Sequence, residues 1–93
     1  MYRVFVTQAA LIDVDRLEDW LLEHGALYGL ELGAALADAT NTLVEYPERW
    51  PRSRDGRYRE LYVTFHSNQY VIRYRVKGDR VTIARIHHSL EDR

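Results

Sequence analysis

The sequence predicts a single α+β domain in which a helix hairpin packs on one face of a small antiparallel sheet, in the order β-α-α-β-β-β. Three observations carry that expectation. A β-rich alternating stretch, Tyr2–Val6, opens the chain. Two segments with helical periodicity follow, divided at Gly25. After one obvious loop, marked by two prolines and an Asp-Gly turn, three further alternating stretches are separated by two short turns. A strand, two helices and a meander at this length leave room for one core and one domain, residues 1–93.

Each element has its own justification. Tyr2–Val6 alternates and is built from strand formers. Thr7 then offers a hydroxyl to cap a helix. Ala10, Val14, Leu17 and Leu21 recur at steps of four, three and four, which places them on one helical face. Asp13, Arg16 and Glu23 are expected on the solvated side. Gly25 suits the left-handed residue that ends a helix. A second helix is expected from Ala26 to about Glu45, with Leu30, Ala34, Ala37 and Val44 as its stripe and Leu32, Leu36 and Leu43 broadening it. Gly29 and Gly33 either weaken its start or permit close helix contact. Pro47 stops it.

The loop Pro47–Gly56 leads into strands expected at Arg59–His66, Tyr70–Val76 and from Val81 to His87 or His88. Ser67-Asn68-Gln69 and Lys77-Gly78-Asp79 read as the turns of a meander. Strict alternation puts Leu61, Val63 and Phe65 on one face, and Tyr70, Ile72, Tyr74 and Val76 opposite Val71, Arg73 and Arg75. In the last strand it sets Val81, Ile83 and Arg85 against Thr82, Ala84 and Ile86.

Composition narrows the function. The chain has no cysteine, so disulfides, thiolate metal sites and cysteine nucleophiles are out. No apolar run is long enough to span a membrane and no basic leader precedes an apolar block, so a cytoplasmic protein is expected. The net charge of −1 conceals a division: residues 1–48 carry −7 and residues 49–93 carry +6. Two explanations fit it, a basic surface for an acidic partner or nucleic acid, and mutual attraction of the two halves within the fold. Arg59, Arg73 and Arg75 are candidates for a cationic stripe on the open sheet face, and equally for ordinary solvated pairs with Glu60 and similar acids. Trp50, an aromatic in a polar loop, either covers the core edge or anchors an interface. Trp20 is expected in the core or at the helix contact. His24 and His66 are too scattered for a metal site, and no cofactor is expected.

Asp13-Val14 and Trp20 in the first helix, Leu43…Pro47 at the end of the second, Arg59-x-Leu61, and the run from Tyr70 through Arg73-Tyr74-Arg75-Val76, Gly78-Asp79, Val81, Ile83 and Arg85-Ile86 to His88 occur in order. With these motifs, the chain resembles the RelE/ParE superfamily of type II toxins almost end to end. The resemblance implies a toxin neutralised by a cognate antitoxin in a hetero-oligomeric complex. It also poses a choice. RelE-type members cut mRNA on the ribosome, using clustered basic residues and a late Tyr, Glu or His; ParE-type members inhibit DNA gyrase. Val71 stands where a RelE-type arginine is usual, Leu90 and Glu91 fall where a basic residue is expected, and no tyrosine follows Tyr74.

These departures favour a ParE-like gyrase inhibitor whose partner-binding residues are Arg59, Arg73, Arg75, Arg85, Trp50 and Leu90, together with the tail Ser89–Arg93. The alternative is a RelE-like ribosome-dependent mRNA endonuclease using Arg73, Arg85 and His87 or His88. A further alternative is an inactive member that only binds its antitoxin in operon regulation. Because neighbouring strand residues point to opposite faces, only one of His87 and His88 can line a given site.

Overall fold

A computed structural model describes residues 1–91. The strands are β1 (Arg3–Val6), β2 (Arg59–Phe65), β3 (Asn68–Lys77) and β4 (Arg80–His88), and the helices are α1 (Gln8–Glu23) and α2 (Leu32–Asn41). Their order along the chain is the expected one. In space the strands run β1-β4-β3-β2. The meander β2-β3-β4 is antiparallel, but the sheet as a whole is mixed, because β1 lies parallel to β4. No hairpin ties β1 to a neighbour. It runs straight into the helices, and the long excursion before β4 is the kind of crossover that parallel pairing needs.

Thr7 caps α1 by accepting the Ala10 amide at 3.1 Å. Gly25, at φ +80°, ends it in the conformation only glycine adopts freely. The second helical segment differs from the expectation. A 3₁₀ turn spans Leu27–Glu31, α2 proper begins at Leu32, and a second 3₁₀ turn covers Thr42–Val44. The buried side is Leu32, Leu36, Thr40 and Leu43, whereas Leu30, Ala34 and Ala37 face water, Leu30 with 72% of its surface exposed. Size decides the phase: burying three leucines removes more apolar area than burying two alanines and a leucine. At Gly29 an added Cβ would lie 2.8 Å from the Leu21 Cβ, so this glycine serves the close contact of the hairpin.

The core joins Leu17 and Leu21 of α1 and Leu32 and Leu36 of α2 to Leu61, Tyr70, Ile72, Tyr74, Val81, Ile83 and Ile86 of the sheet. Trp20 is not among them. It is half exposed and stacks on His24 with ring centroids 3.9 Å apart. Both helices therefore cover one sheet face; no helix covers the other, which is open except around the buried Val71 and His87. Among the described residues no helix is long and apolar enough to cross a membrane.

Candidate functional site

One irregularity in β4 organises the open face. Tyr74 pairs with Ile83 and Arg73 with Arg85, so Ala84 is an extra residue, a β-bulge. Strict alternation fails there. Ile86 joins Val81 and Ile83 in the core, while Arg85 turns to the side of Arg73. A bulge turns backbone groups away from the ladder, and α1 receives them. Thr7 Oγ1 donates to the Ala84 carbonyl at 3.0 Å, and the Ile86 amide donates to Asp13 Oδ2 at 2.8 Å. Asp13 also accepts from Arg85 Nε at 2.8 Å and Arg85 Nη2 at 3.0 Å.

Asp13 is thus buried, not solvated as its helical position suggested. Burial would raise its carboxyl, but the hydrogen bonds from Arg85 and the Ile86 amide, with the charges of Arg85 and Arg16, hold it below the usual carboxylate range. No signal in the sequence marks this residue apart from its place in the Asp13-Val14 motif.

The other arginines expected to bind a partner are scattered and variously engaged. Arg73 Nε donates to Glu60 Oε2 at 3.0 Å across β2 and β3. Arg59 has turned toward the loop, where Nη1 donates to the Trp50 carbonyl at 2.7 Å. Arg75 lies over the Tyr58 ring at 4.6 Å and donates to its hydroxyl at 3.2 Å. Trp50 packs against the core edge, beside Tyr62. Arg73 and Arg85 face each other across the ladder, and Arg75 continues that face, so the open face does gather these three. Arg59 and Trp50 are not part of it.

The two late histidines part as alternation requires. His87 is buried, opposite Val71, and its Nδ1 lies 3.0 Å from the His88 carbonyl, which can only accept; that nitrogen is the donor. On His88, Nδ1 accepts the Leu90 amide at 3.1 Å, which leaves Nε2 to donate to Asn68 Oδ1 at 3.1 Å. Both ring nitrogens of His88 thereby hold the end of β4 in place. Glu91 folds back beside them: Oε1 accepts the His88 amide at 2.7 Å and Oε2 accepts Arg16 Nη1 at 2.6 Å. Of the tail named above, Ser89–Glu91 is docked in this way, while Asp92 and Arg93 lie outside the described residues.

That docking forms one wall of a groove of about 740 Å³ between α1 and the ends of β3 and β4. Leu17, Trp20, Tyr70 and Leu90 supply its apolar lining; Asp19, Glu23 and Glu91 rim it with Arg16. Leu90 is 87% exposed. Such a concavity, apolar within and charged at the rim, suits an amphipathic segment better than a phosphate. Among the described residues no three His, Asp or Glu side chains gather where they could hold a metal ion.

Comparison with known proteins gives consistent findings. The family model described as the ParE toxin of the type II toxin–antitoxin system parDE matches residues 4–93. Toxin RelE1 of Caulobacter vibrioides is 39% identical over 92 residues, which cover 99% of this chain and 98% of that protein. Toxin RelE3 of the same organism is 36% identical over 81 residues, 87% of each chain. A solved structure, the chromosomal ParDE TA system from P. aeruginosa, superposes with a TM-score of 0.75 over 95% of this chain and 96% of that one, at 22% identity, and supports the fold.

Proposed function

The chain belongs to the ParE toxin family of type II toxin–antitoxin systems, and from that membership we propose that it is a ParE-like inhibitor of DNA gyrase, held in check by a cognate antitoxin. The observation that carries the choice is the state of its two central guanidinium groups. Cleaving RNA through the 2′-oxygen needs a base, an acid and cations turned toward the phosphate. Arg73 and Arg85 are turned instead toward the carboxylates of Glu60 and Asp13. The end of β4 presents the Glu91 carboxylate, and Val71 and Leu90 stand where RelE-type nucleases carry basic residues. A phosphate brought to this region would meet carboxylates already holding its would-be ligands. Inhibition by docking requires none of those groups to be released.

In this proposal the apolar groove takes partner side chains, with Trp20 and Leu90 as its exposed anchors. The relatives named RelE keep the endonuclease alternative concrete, with Arg73, Arg85 and His87 or His88 as its machinery.

Two assays on the purified chain decide between them. In a gyrase supercoiling reaction, inhibition is expected, relieved by the co-expressed antitoxin. In a translating extract the mRNA is expected to stay intact. New 5′ ends within codons would overturn the proposal in favour of the nuclease, and inactivity in both assays would leave a chain that only binds its antitoxin. Trp20→Ala with Leu90→Ala is expected to weaken inhibition by about tenfold or more, the effect of losing one or two interface anchors.

A further inference from the structure

The remaining cations collect at the opposite end of the open face. There the register runs Arg3↔Arg80 between β1 and β4 and Lys77↔Arg80 between β4 and β3, so three strands present a cation in one row. Residues directly opposite share a face, and neighbouring strands are about 4.8 Å apart. Arg75 stands two residues back on β3, on the same side as Lys77. Past it, at the β2 edge, a cavity of about 390 Å³ is lined by Arg52, Arg57, Arg59, Arg75 and Lys77 against a single carboxylate, Glu48. Among the described residues no carboxylate pairs with Arg75, Lys77 or Arg80, and the Arg3–Asp79 contact, at 3.5 Å, is about two-thirds exposed on both sides.

Aromatic rings interleave these charges. Phe5, 42% exposed, sits on β1 beneath Arg80 at 4.7 Å and Arg3 at 5.8 Å, and Tyr58 sits beneath Arg75 at 4.6 Å. Phe5 lies outside the core cluster and keeps that fraction of its surface in water. Flanked by arginines, it offers a flat surface on which a base can stack while the guanidinium groups meet the phosphates on either side.

We propose that this end of the open sheet face binds single-stranded nucleic acid, with Phe5 and Tyr58 as stacking platforms, Arg80, Lys77 and Arg75 as phosphate ligands, and the cationic cavity at the β2 edge receiving the next phosphate. A strand laid across the sheet passes one cation at each step. An acidic polypeptide would use the same cations but leave both rings without a role, and a duplex hides its base faces, so neither fits the arrangement as well. The surface lies at the other end of the face from the histidines and the apolar groove. It does not depend on the gyrase reading, and a chain without effect on supercoiling is still expected to bind.

The test is fluorescence anisotropy of a labelled oligouridylate of about 12 nucleotides with the purified full chain, titrated between about 50 and 200 mM salt. Binding is expected, weakening with a log–log slope of about −3, the value for about four phosphates on a single strand, three on Arg80, Lys77 and Arg75 and one in the cavity. Arg80→Ala and Arg75→Ala are each expected to weaken it about three- to tenfold and to flatten that slope. Phe5→Ala is expected to weaken it about fivefold or more with the slope unchanged, since stacking releases no counterions. Leu30→Ala, on the helix side, should do nothing. Absence of binding at the lowest salt, binding indifferent to Arg80→Glu with Arg75→Glu, or equal affinity for a duplex of the same length would overturn the proposal. So would displacement by oligoglutamate at lower concentration than by unlabelled oligouridylate, which would mark the surface as one for acidic polypeptide.

Discussion

The two ends of the open face use one residue type for two purposes. Near the bulge, Arg85 and Arg73 each hold a carboxylate, and one of those carboxylates, on Asp13, is buried and also satisfies a backbone amide. At the far end, Arg80 and Arg75 lie over aromatic rings and hold no carboxylate among the described residues. An arginine whose charge is cancelled within the fold contributes to stability and little to the external field. One left over an exposed ring does the reverse. The +6 of the C-terminal half is therefore not one surface: its central cations are spent on acids from both halves, and its outlying ones remain to attract a polyanion.

The sharpest way to break this contrast is at Asp13. Asp13→Ala strands the Ile86 amide and leaves Arg85 without its partner, and removing one member of a buried pair typically costs about 3–5 kcal/mol. Arg85 is half in water, so about 2–3 kcal/mol is expected here, read as a lower urea midpoint at constant slope and a melting temperature about 10–20 °C lower. Acid should act in the same direction. A carboxyl held below its unfolded value stabilises the fold above that value, near 3.9, and the contribution is lost as pH falls below it. Asp13→Asn should be less stable than the wild type at neutral pH and lose less on acidification.

Most of the fold is legible in the sequence because periodicity and turn chemistry act locally. The cap at Thr7, the stop at Gly25 and the strand boundaries near Lys77 and Arg80 follow from nearest neighbours. What is not legible depends on distant partners. Nothing near Ala84 announces a bulge, since the extra residue only makes sense against β3 and against the Asp13 carboxylate that receives the Ile86 amide; without it, alternation assigns Arg85 and Ile86 to the wrong faces. In the second helix the leucines at 32, 36 and 43 compete with a stripe beginning at Leu30, and the sheet settles which is buried. The candidate site follows the same pattern. Arg73, Arg75 and Arg85 could be named from the strands, but that two of them are occupied by carboxylates, and that Arg3, Arg80 and Lys77 share a row, with Phe5 and Arg75 in the line of Thr82 on the same face, emerges only from the register.

Tyr74 gives a smaller effect near neutral pH and a distinct one in alkali. It is fully buried, and its hydroxyl donates to the Pro47 carbonyl, tying β3 to the loop behind the cationic cavity. Tyr74→Phe should cost about 1 kcal/mol at neutral pH, the usual net worth of one hydrogen bond. Burial pushes its pKa from 10.0 up to about 12, outweighing the nearby Arg59 and Arg49 charges. A raised pKa favours the neutral ring in the fold. That contribution is complete below the unfolded value and is lost as pH climbs from about 10 toward 12, at a cost of order 2 kcal/mol by the upper limit. Equilibrium unfolding followed between pH 8 and 12 should show a shallower alkaline decline in Tyr74→Phe than in the wild type.

Glu60→Gln probes the milder pair of the bulge end. Arg73 and Glu60 are both mostly covered but neither is deeply buried, so about 1 kcal/mol is expected, diminishing in high salt.

The smallest change in stability is expected at the other end, and its smallness is the point. Arg80 is exposed and holds no carboxylate among the described residues, and its contact with Phe5 is open to water. Arg80→Ala should alter stability by no more than about 0.5 kcal/mol, measured by the same urea titrations, because little in the folded state is lost with it. Arg85 and Arg80 then differ in kind: replacing the acid beside Arg85 destabilises the fold, whereas replacing Arg80 leaves the fold intact and removes only a source of external field. A destabilisation above about 1 kcal/mol in Arg80→Ala would mean that its stack on Phe5 is a packing contact of the fold, and the contrast between the two ends of the face would no longer hold.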